Sequence, residues 1–206
     1  MPPDLEARLR RGEPLGVLFD ANVLLDVFLQ RENAVPAARA LTFAEAGAVT
    51  GRVCASTFGV ICHHGAEPGA GRARRERLLA AELMRFLGVL PLTEEVLAAA
   101  LGYERLSFED AQVAAAGDLA GVDAILTNDG GFLRGHELAC TPRDLAPLLE
   151  AHLGERTVCR VVRVTPEGAF RVELADPAGG WRQTLALSGF PTEEEAERVA
   201  GLRRDE

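Results

Sequence analysis

Several features of this 206-residue sequence are scarce or missing. It has no lysine, so all 22 basic residues are arginine, and 31 acidic residues leave a formal net charge of −9. A protein with this negative charge is not expected to bind nucleic acid by non-specific electrostatic attraction. An enzyme with such a charge can still bind phosphate groups through metal ions. No apolar run approaches the roughly 20 residues that a membrane helix needs, and the N-terminal stretch contains no apolar signal core. We therefore expect a cytoplasmic protein that does not enter a membrane.

Cysteines and aromatic residues are also few. The four cysteines are Cys54, Cys62, Cys140 and Cys159, and none forms a CxxC pair. This spacing favours buried cytosolic thiols over a zinc site, and the two adjacent histidines after Cys62 would diverge on a helix. Aromatic residues make up only 5% of the chain, so the core must consist mainly of aliphatic side chains.

Strand and helix signals alternate up to about residue 153. Short apolar runs at 15–19, 49–55 and 122–127 are typical of buried strands, and helical periodicity fills the stretches between them. This alternation predicts an α/β fold with a parallel sheet and helices on both faces. After Gly154 the pattern becomes that of an antiparallel meander, followed by a helix over 192–202. We predict one domain over 1–153 and a small ββ-β-α appendage over 154–206.

The stretch from Leu15 to Arg31 draws the most attention. Its first apolar run ends abruptly on Asp20, Asn22 follows, and a second apolar run with helical spacing carries Asp26. A carboxylate where a buried strand becomes a helix lies at the carboxyl edge of the sheet, where open α/β folds place their ligands. The alternative is that Asp20 only caps the helix.

Two further acids occupy equivalent places. Asp110 falls in the first turn of a helix that Ser107 would cap, and Asp129 lies just past the end of a late strand. If the three carboxylates converge, they repel one another unless a cation joins them, and Mg²⁺ or Mn²⁺ is the natural choice for oxygen ligands. Alternatively, Asp110 and Asp129 are ordinary cap and turn residues on a generic α/β domain.

Three segments carry a family resemblance: LFDANVLLDVF, SFEDAQVAAA and AILTNDGGF, in this order over residues 15–150. They resemble the signature segments of PIN domains, metal-dependent nucleases of which many are ribonuclease toxins of bacterial toxin–antitoxin pairs. The resemblance implies a three-layer α/β/α PIN-like domain with a parallel central sheet. It also implies a metal-dependent endoribonuclease that acts on RNA, with an antitoxin protein and a homodimer as expected assemblies.

The resemblance also assigns residues. Asp20, Asp110 and Asp129 would be the catalytic, metal-binding acids for Mg²⁺ or Mn²⁺. Asn22, Thr127 and Asn128 would support the site, as polar residues commonly do beside the first and last acids. Together these residues form the expected site.

One position departs from the family pattern. PIN domains usually carry a glutamate in the helix after the second strand, and Val60 falls at that position here. An apolar side chain cannot bind a metal ion, so Glu109 and Asp118 are possible substitutes for the missing glutamate. Glu109 would point about 100° away from its neighbour Asp110 on the helix, and Asp118 lies two turns further along. The alternative function is therefore a catalytically weakened PIN fold that binds nucleic acid or protein.

A basic cluster follows a glycine-containing loop in the sequence GRARRER. Its arginines are Arg72, Arg74, Arg75 and Arg77. They could contact an RNA backbone, or they could form a solvated helix face paired with local acids such as Glu76.

Overall fold

The computed structural model describes residues 2–66 and 69–153, together with the backbone of three strands within residues 159–190. Five parallel strands form the central sheet, in the spatial order β3-β2-β1-β4-β5. They are β1 Gly16–Phe19, β2 Thr50–Cys54, β3 Gly88–Leu90, β4 Ala124–Leu126 and β5 Ala139–Cys140. The predicted α/β fold with a parallel sheet is confirmed.

Helices pack on both faces of this sheet. Their bounds are α1 Leu5–Arg10, α2 Ala21–Phe28, α3 Ala34–Glu45, α4 Ala55–Gly65, α5 Arg72–Leu83, α6 Glu94–Ala100, α7 Phe108–Leu119, α8 Gly130–Gly135 and α9 Pro142–Leu153. None of these described helices is both long and apolar enough to cross a membrane.

Alternation along the strands separates two hydrophobic cores. Val17 and Phe19 of β1 point into the core covered by α1 to α5 and α9, whereas Leu18 points into the core covered by α6, α7 and α8. Because successive strand residues face opposite sides, one short strand anchors both layers. The arrangement is a three-layer α/β/α sandwich.

Helix α7 lies close to the sheet because its inner face is made of small residues. A Cβ added at Gly117 would stand 3.1 Å from both Ile125 Cδ1 and Leu18 Cδ2. The alanine-rich sequence of α7 thus brings its backbone near the central strands, and with it the N-terminal turn that carries Asp110.

Hydroxyl side chains near the starts of α6 and α4 make different bonds. Thr93 caps α6 by accepting a hydrogen bond from the Val96 N–H. Ser56 and Thr57, in contrast, do not cap α4, because that helix begins at Ala55 directly after β2. Thr57 Oγ1 instead donates to the Cys54 carbonyl oxygen at 3.1 Å.

A second sheet follows α9. Its strands β6 Cys159–Arg163, β7 Phe170–Ala175 and β8 Trp181–Phe190 pair antiparallel in sequence order. The predicted antiparallel meander is present. The expected helix over 192–202 and the boundary at Gly154 lie outside the described residues.

Candidate functional site

The site is built where the strand order reverses. From β1 the chain adds β2 and then β3 on one side, and later returns to place β4 on the other side of β1. The carboxyl ends of β1 and β4 therefore flank the crevice where open parallel sheets bind ligands. Asp20 follows β1 and Thr127 follows β4, and the Asp20 N–H donates to the Leu126 carbonyl at 3.0 Å.

Asp20 is a buried carboxylate with three hydrogen-bond donors around it. Its Oδ1 accepts from the Ala21 N–H at 2.6 Å. Its Oδ2 accepts from Asn22 Nδ2 at 2.7 Å and from Thr127 Oγ1 at 2.8 Å. The side chain is thus the N-cap of α2 and, at the same time, the centre of a polar network between two strands.

Burial, hydrogen bonds and neighbouring charges together shift the pKa of Asp20. The pKa of Asp20 is raised to about 6, chiefly because burial disfavours its charge. The hydrogen bonds from Thr127 and the Ala21 N–H lower this pKa, whereas the charges of Asp110 and Asp129 raise it. Both acids therefore act on Asp20, although their residue numbers differ from it by about a hundred.

Asp110 and Asp129 each occupy a helix start. Ser107 Oγ accepts from the Asp110 N–H at 3.1 Å, as the capping signal predicts, and it also donates to Asp110 Oδ2 at 2.7 Å. Asp129 is exposed, and its Oδ1 caps α8 by accepting from the Phe132 N–H at 2.8 Å. Each acid thus has a local role at a helix start: Asp20 and Asp129 cap α2 and α8, and Asp110 pairs with the cap of α7.

The strand-to-helix connection after β4 is held by α2. Asn22 Oδ1 accepts from the Asn128 N–H at 3.0 Å, and Asn22 Nδ2 donates to Thr127 Oγ1 at 3.0 Å. Thr127 Oγ1 also accepts from the Asp129 N–H at 3.1 Å. The three residues expected to support the site thus link Asp20 to Asp129 in one network.

Asp26 belongs to the same network, and sequence reasoning assigned it no role. It is buried on α2, and its Oδ2 accepts from Asn128 Nδ2 at 2.7 Å. The available signal was its spacing, because Asp26 follows Asn22 by four residues and both lie on one helix face.

The oxygen-rich donor set fits a hard divalent cation. Among the described residues, no group of three or more His, Cys, Asp or Glu side chains is placed to hold a metal ion by itself. Mg²⁺, however, usually keeps several waters and takes only one or two carboxylates from the protein. Asp20 Oδ1 accepts one described hydrogen bond and a carboxylate oxygen has two lone pairs, so it can still serve as a ligand.

Cys62 is buried on α4, directly before two histidines of the same helix. His63 Nδ1 lies 3.0 Å from Glu76 Oε1 and forms a surface pair with it.

No acid from α4 joins the site, since this helix contains none. Val60 on α4 has an exposed fraction of 38%. Of the two substitutes, Glu109 is exposed, and Asp118 accepts from the Tyr103 hydroxyl and lies 3.2 Å from His136 Nε2. Asp118 is therefore engaged elsewhere on α7.

The basic cluster divides into two pairs on α5. Arg72 Nε lies 3.1 Å from Glu76 Oε1, and Arg75 Nη1 donates to the Ala70 carbonyl at 2.9 Å. Arg74 and Arg77 are exposed. The first pair shapes the start of the helix, which leaves the second pair as the better candidates for contact with a ligand.

Comparison with known proteins gives a family match. A family model described as a PIN domain matches residues 16–130, more than half of the chain. One similar solved structure is titled "Toxin-antitoxin complex from Klebsiella pneumoniae". It is 21% identical, covers 61% of this chain and 97% of that chain, and has a TM-score of 0.47, too low to support an argument about function. No curated protein matches the chain.

Proposed function

The chain belongs to the PIN-domain family, and on that premise we propose that it is a metal-dependent endoribonuclease. PIN domains are generally nucleases, so a hydrolase acting on a phosphodiester is the coarse expectation. The finer proposal is that the substrate is RNA and that Asp20, Asp110 and Asp129 are the working acids.

The burial of a carboxylate, Asp20, directly after β1 carries this proposal. Burial is the main reason why the pKa of Asp20 is raised to about 6, and the charges of Asp110 and Asp129 add to this shift. Perturbed acids at a strand-order switch are typical of functional sites. A purely structural cap would be served equally well by an uncharged Ser or Asn in the same place.

Mg²⁺ or Mn²⁺ held at Asp20, with Asp110 and Asp129 acting on it directly or through its bound waters, would supply a Lewis acid for the phosphate and an activated water. The chain prepares this site in two ways. Thr127 and Asn22 donate to Asp20 Oδ2, which leaves Oδ1 turned towards the α2 N-terminus with a lone pair available. Since the pKa of Asp20 is about 6, its carboxyl group is mostly ionised at neutral pH. The ionised carboxylate is the form that binds a cation.

The direct test is RNA cleavage by the purified protein. Labelled single-stranded RNA is incubated with Mn²⁺ or with EDTA, using the wild type and Asp20→Asn. We expect cleavage only by the wild type with Mn²⁺. Asp123→Asn is the matched control, because Asp123 is a carboxylate at the other end of β4 whose Oδ2 accepts from the Gly16 N–H at 2.7 Å. Equal cleavage by wild type and Asp20→Asn would end the proposal.

We also propose that the protein acts in the cytoplasm as the toxin of a toxin–antitoxin pair. This role follows from the family and predicts that induced expression arrests growth, whereas expression of Asp20→Asn does not. Growth that continues despite soluble, active protein would remove the toxin role and leave the nuclease.

The second candidate is a weakened PIN fold that only binds nucleic acid or protein. The absence of any acid from α4 favours it. Calorimetric titration with Mn²⁺ separates the two candidates, because a nuclease must bind the ion and its binding must be lost in Asp20→Asn.

A further inference from the structure

Asp26 is a buried charged residue on α2, next to apolar residues in the sequence. Its neighbours Val23, Leu24, Leu25 and Val27 are all buried, and Asp26 itself is 6% exposed. Burying a carboxylate is unfavourable unless it is well paired. The observed partners are Asn128 Nδ2 at 2.7 Å from Oδ2, and the exposed Arg31 Nη1 at 3.7 Å from Oδ1.

Asn22 and Asp26 both form hydrogen bonds with Asn128, through different groups of that residue. Asn22 accepts the backbone N–H of Asn128, and Asp26 accepts its side-chain amide. One hydrogen bond leaves a loop residue free to rotate about it, whereas two bonds from one rigid helix do not. Because the acceptor at 26 is a carboxylate, its bond is of the stronger, charge-assisted kind.

Asn128 lies in the chain between Thr127, which bonds Asp20, and Asp129. The two hydrogen bonds from α2 would therefore align these neighbours. Thr127 donates to Asp20, and Asp129 follows Asn128 and donates its N–H to Thr127. Fixing the backbone at 128 therefore fixes the direction in which the chain leaves β4 and delivers Asp129.

We infer that Asp26 is a positioning residue of the site, which holds Asn128 and thereby sets Asp129 against Asp20. It touches no reacting atom and acts only through the loop 127–129. The inference rests on the proposed nuclease function for its kinetic consequences, but not for its structural ones.

An exchange of the two polar groups tests this pairing. Asn128→Asp places two carboxylates in contact, and adding Asp26→Asn restores an amide–carboxylate bond in the opposite direction. We expect N128D to lower kcat for RNA cleavage at least about tenfold with KM nearly unchanged, since misplacement of a working acid affects the transition state. The double variant D26N/N128D should recover kcat to within about threefold of the wild type.

Two further readouts do not depend on cleavage. Amide hydrogen exchange at residue 128 should be faster in N128D and slow again in the double variant. Mn²⁺ affinity by calorimetry should fall and recover in the same order. If the wild type cleaves no RNA, the proposed function fails, and the exchange measurement still decides the positioning role.

Glu150→Gln serves as the control for general loss of stability. It weakens the ion pair of Arg39 with Glu150 between α3 and α9, and should change melting temperature without changing kcat. If N128D does not fold, Asp26→Ala and Asn128→Ala replace it, and each should slow cleavage as much as the two together. Unchanged exchange at 128, or no rescue by Asp26→Asn in a folded N128D protein, would overturn the inference.

Discussion

The Thr127 hydroxyl donates a 2.8 Å hydrogen bond to Asp20 Oδ2 and so joins the ends of two neighbouring strands that are 107 residues apart in sequence. Thr127 is fully buried, so solvent does not compete for this bond. The bond favours the ionised form of Asp20, against the burial and the like charges that raise the pKa of its carboxyl group. The hydrogen bond from Thr127 therefore helps to keep Asp20 ionised.

Replacing Asp20 by asparagine should stabilise the metal-free protein at neutral pH. The folded pKa of about 6 lies above the ordinary 3.8, so the stability associated with protonated Asp20 is fully present below pH 3.8 and is lost as the pH rises through 6. The difference between these two pKa values corresponds to at most about 3 kcal/mol, less whatever hydrogen bonding the amide loses. Thermal melts in EDTA from pH 4 to pH 8 should show the advantage of D20N growing with pH. If the difference in melting temperature between D20N and the wild type does not change with pH, the pKa of Asp20 is not raised by burial.

Removing the Thr127 hydroxyl should raise the pKa of Asp20 further. We expect Thr127→Val to shift the acidic limb of the cleavage rate to higher pH and to lower kcat by about 10- to 100-fold, as loss of an orienting partner does in metal sites. The pH profile of kcat measures both effects. Thr127→Ser keeps the hydroxyl and is the matched control. Equal profiles for the valine and serine variants would show that the hydroxyl has no such role.

Adding an acid at position 60 should strengthen metal binding if this position faces the site, as the family pattern implies. Val60 is 38% exposed, so a longer polar side chain is expected to be tolerated. Val60→Glu should lower the Kd for Mn²⁺ severalfold because it adds a hard oxygen ligand or a nearby negative charge. Calorimetry measures the change, and Val60→Gln controls for size without charge. The same Kd in both variants would place residue 60 away from the ion.

Removing the exposed pair of α5 arginines should weaken RNA binding more than removing the paired ones. Every arginine that no longer meets a phosphate reduces the salt dependence of binding by about one unit of slope. We expect the double variant Arg74→Ala/Arg77→Ala to raise KM and flatten its dependence on salt, with kcat unchanged. Arg72→Ala/Arg75→Ala is the control and should act mainly on stability. A KM that does not respond to the first double variant would assign α5 to a plain solvated face.

Local signals were sufficient for much of the fold. The apolar run before Asp20, the cap at Ser107, and the alternation of strands with helices each depend on neighbours within a few residues. They therefore predicted the α/β class and the places of the three acids. The short β5 and α8 had no such signal, because two strand residues and a helix that begins with two glycines show no periodicity.

Supporting contacts were harder to predict. Asn22 was expected near Asp20, but its bonds to both Thr127 and the Asn128 backbone depend on the packing of α2 against the end of β4. Asp118 was considered as a substitute ligand, yet its partners are Tyr103 and His136, which come from other segments on the same side of the sheet. Such partners follow from which elements are neighbours in space.

The sequence by itself determined which groups are available: a carboxylate at the end of a buried strand, two more at helix starts, and no acid in the helix after the second strand. The tertiary structure decided that β1 and β4 lie side by side, and so that Asp20 meets Thr127 and that Asp26 holds Asn128. The physical reason is the distance along the sequence over which the interactions act. Helix caps and strand periodicity are set by interactions a few residues long, whereas the order of strands in a sheet is set by how all the helices cover its two faces at once.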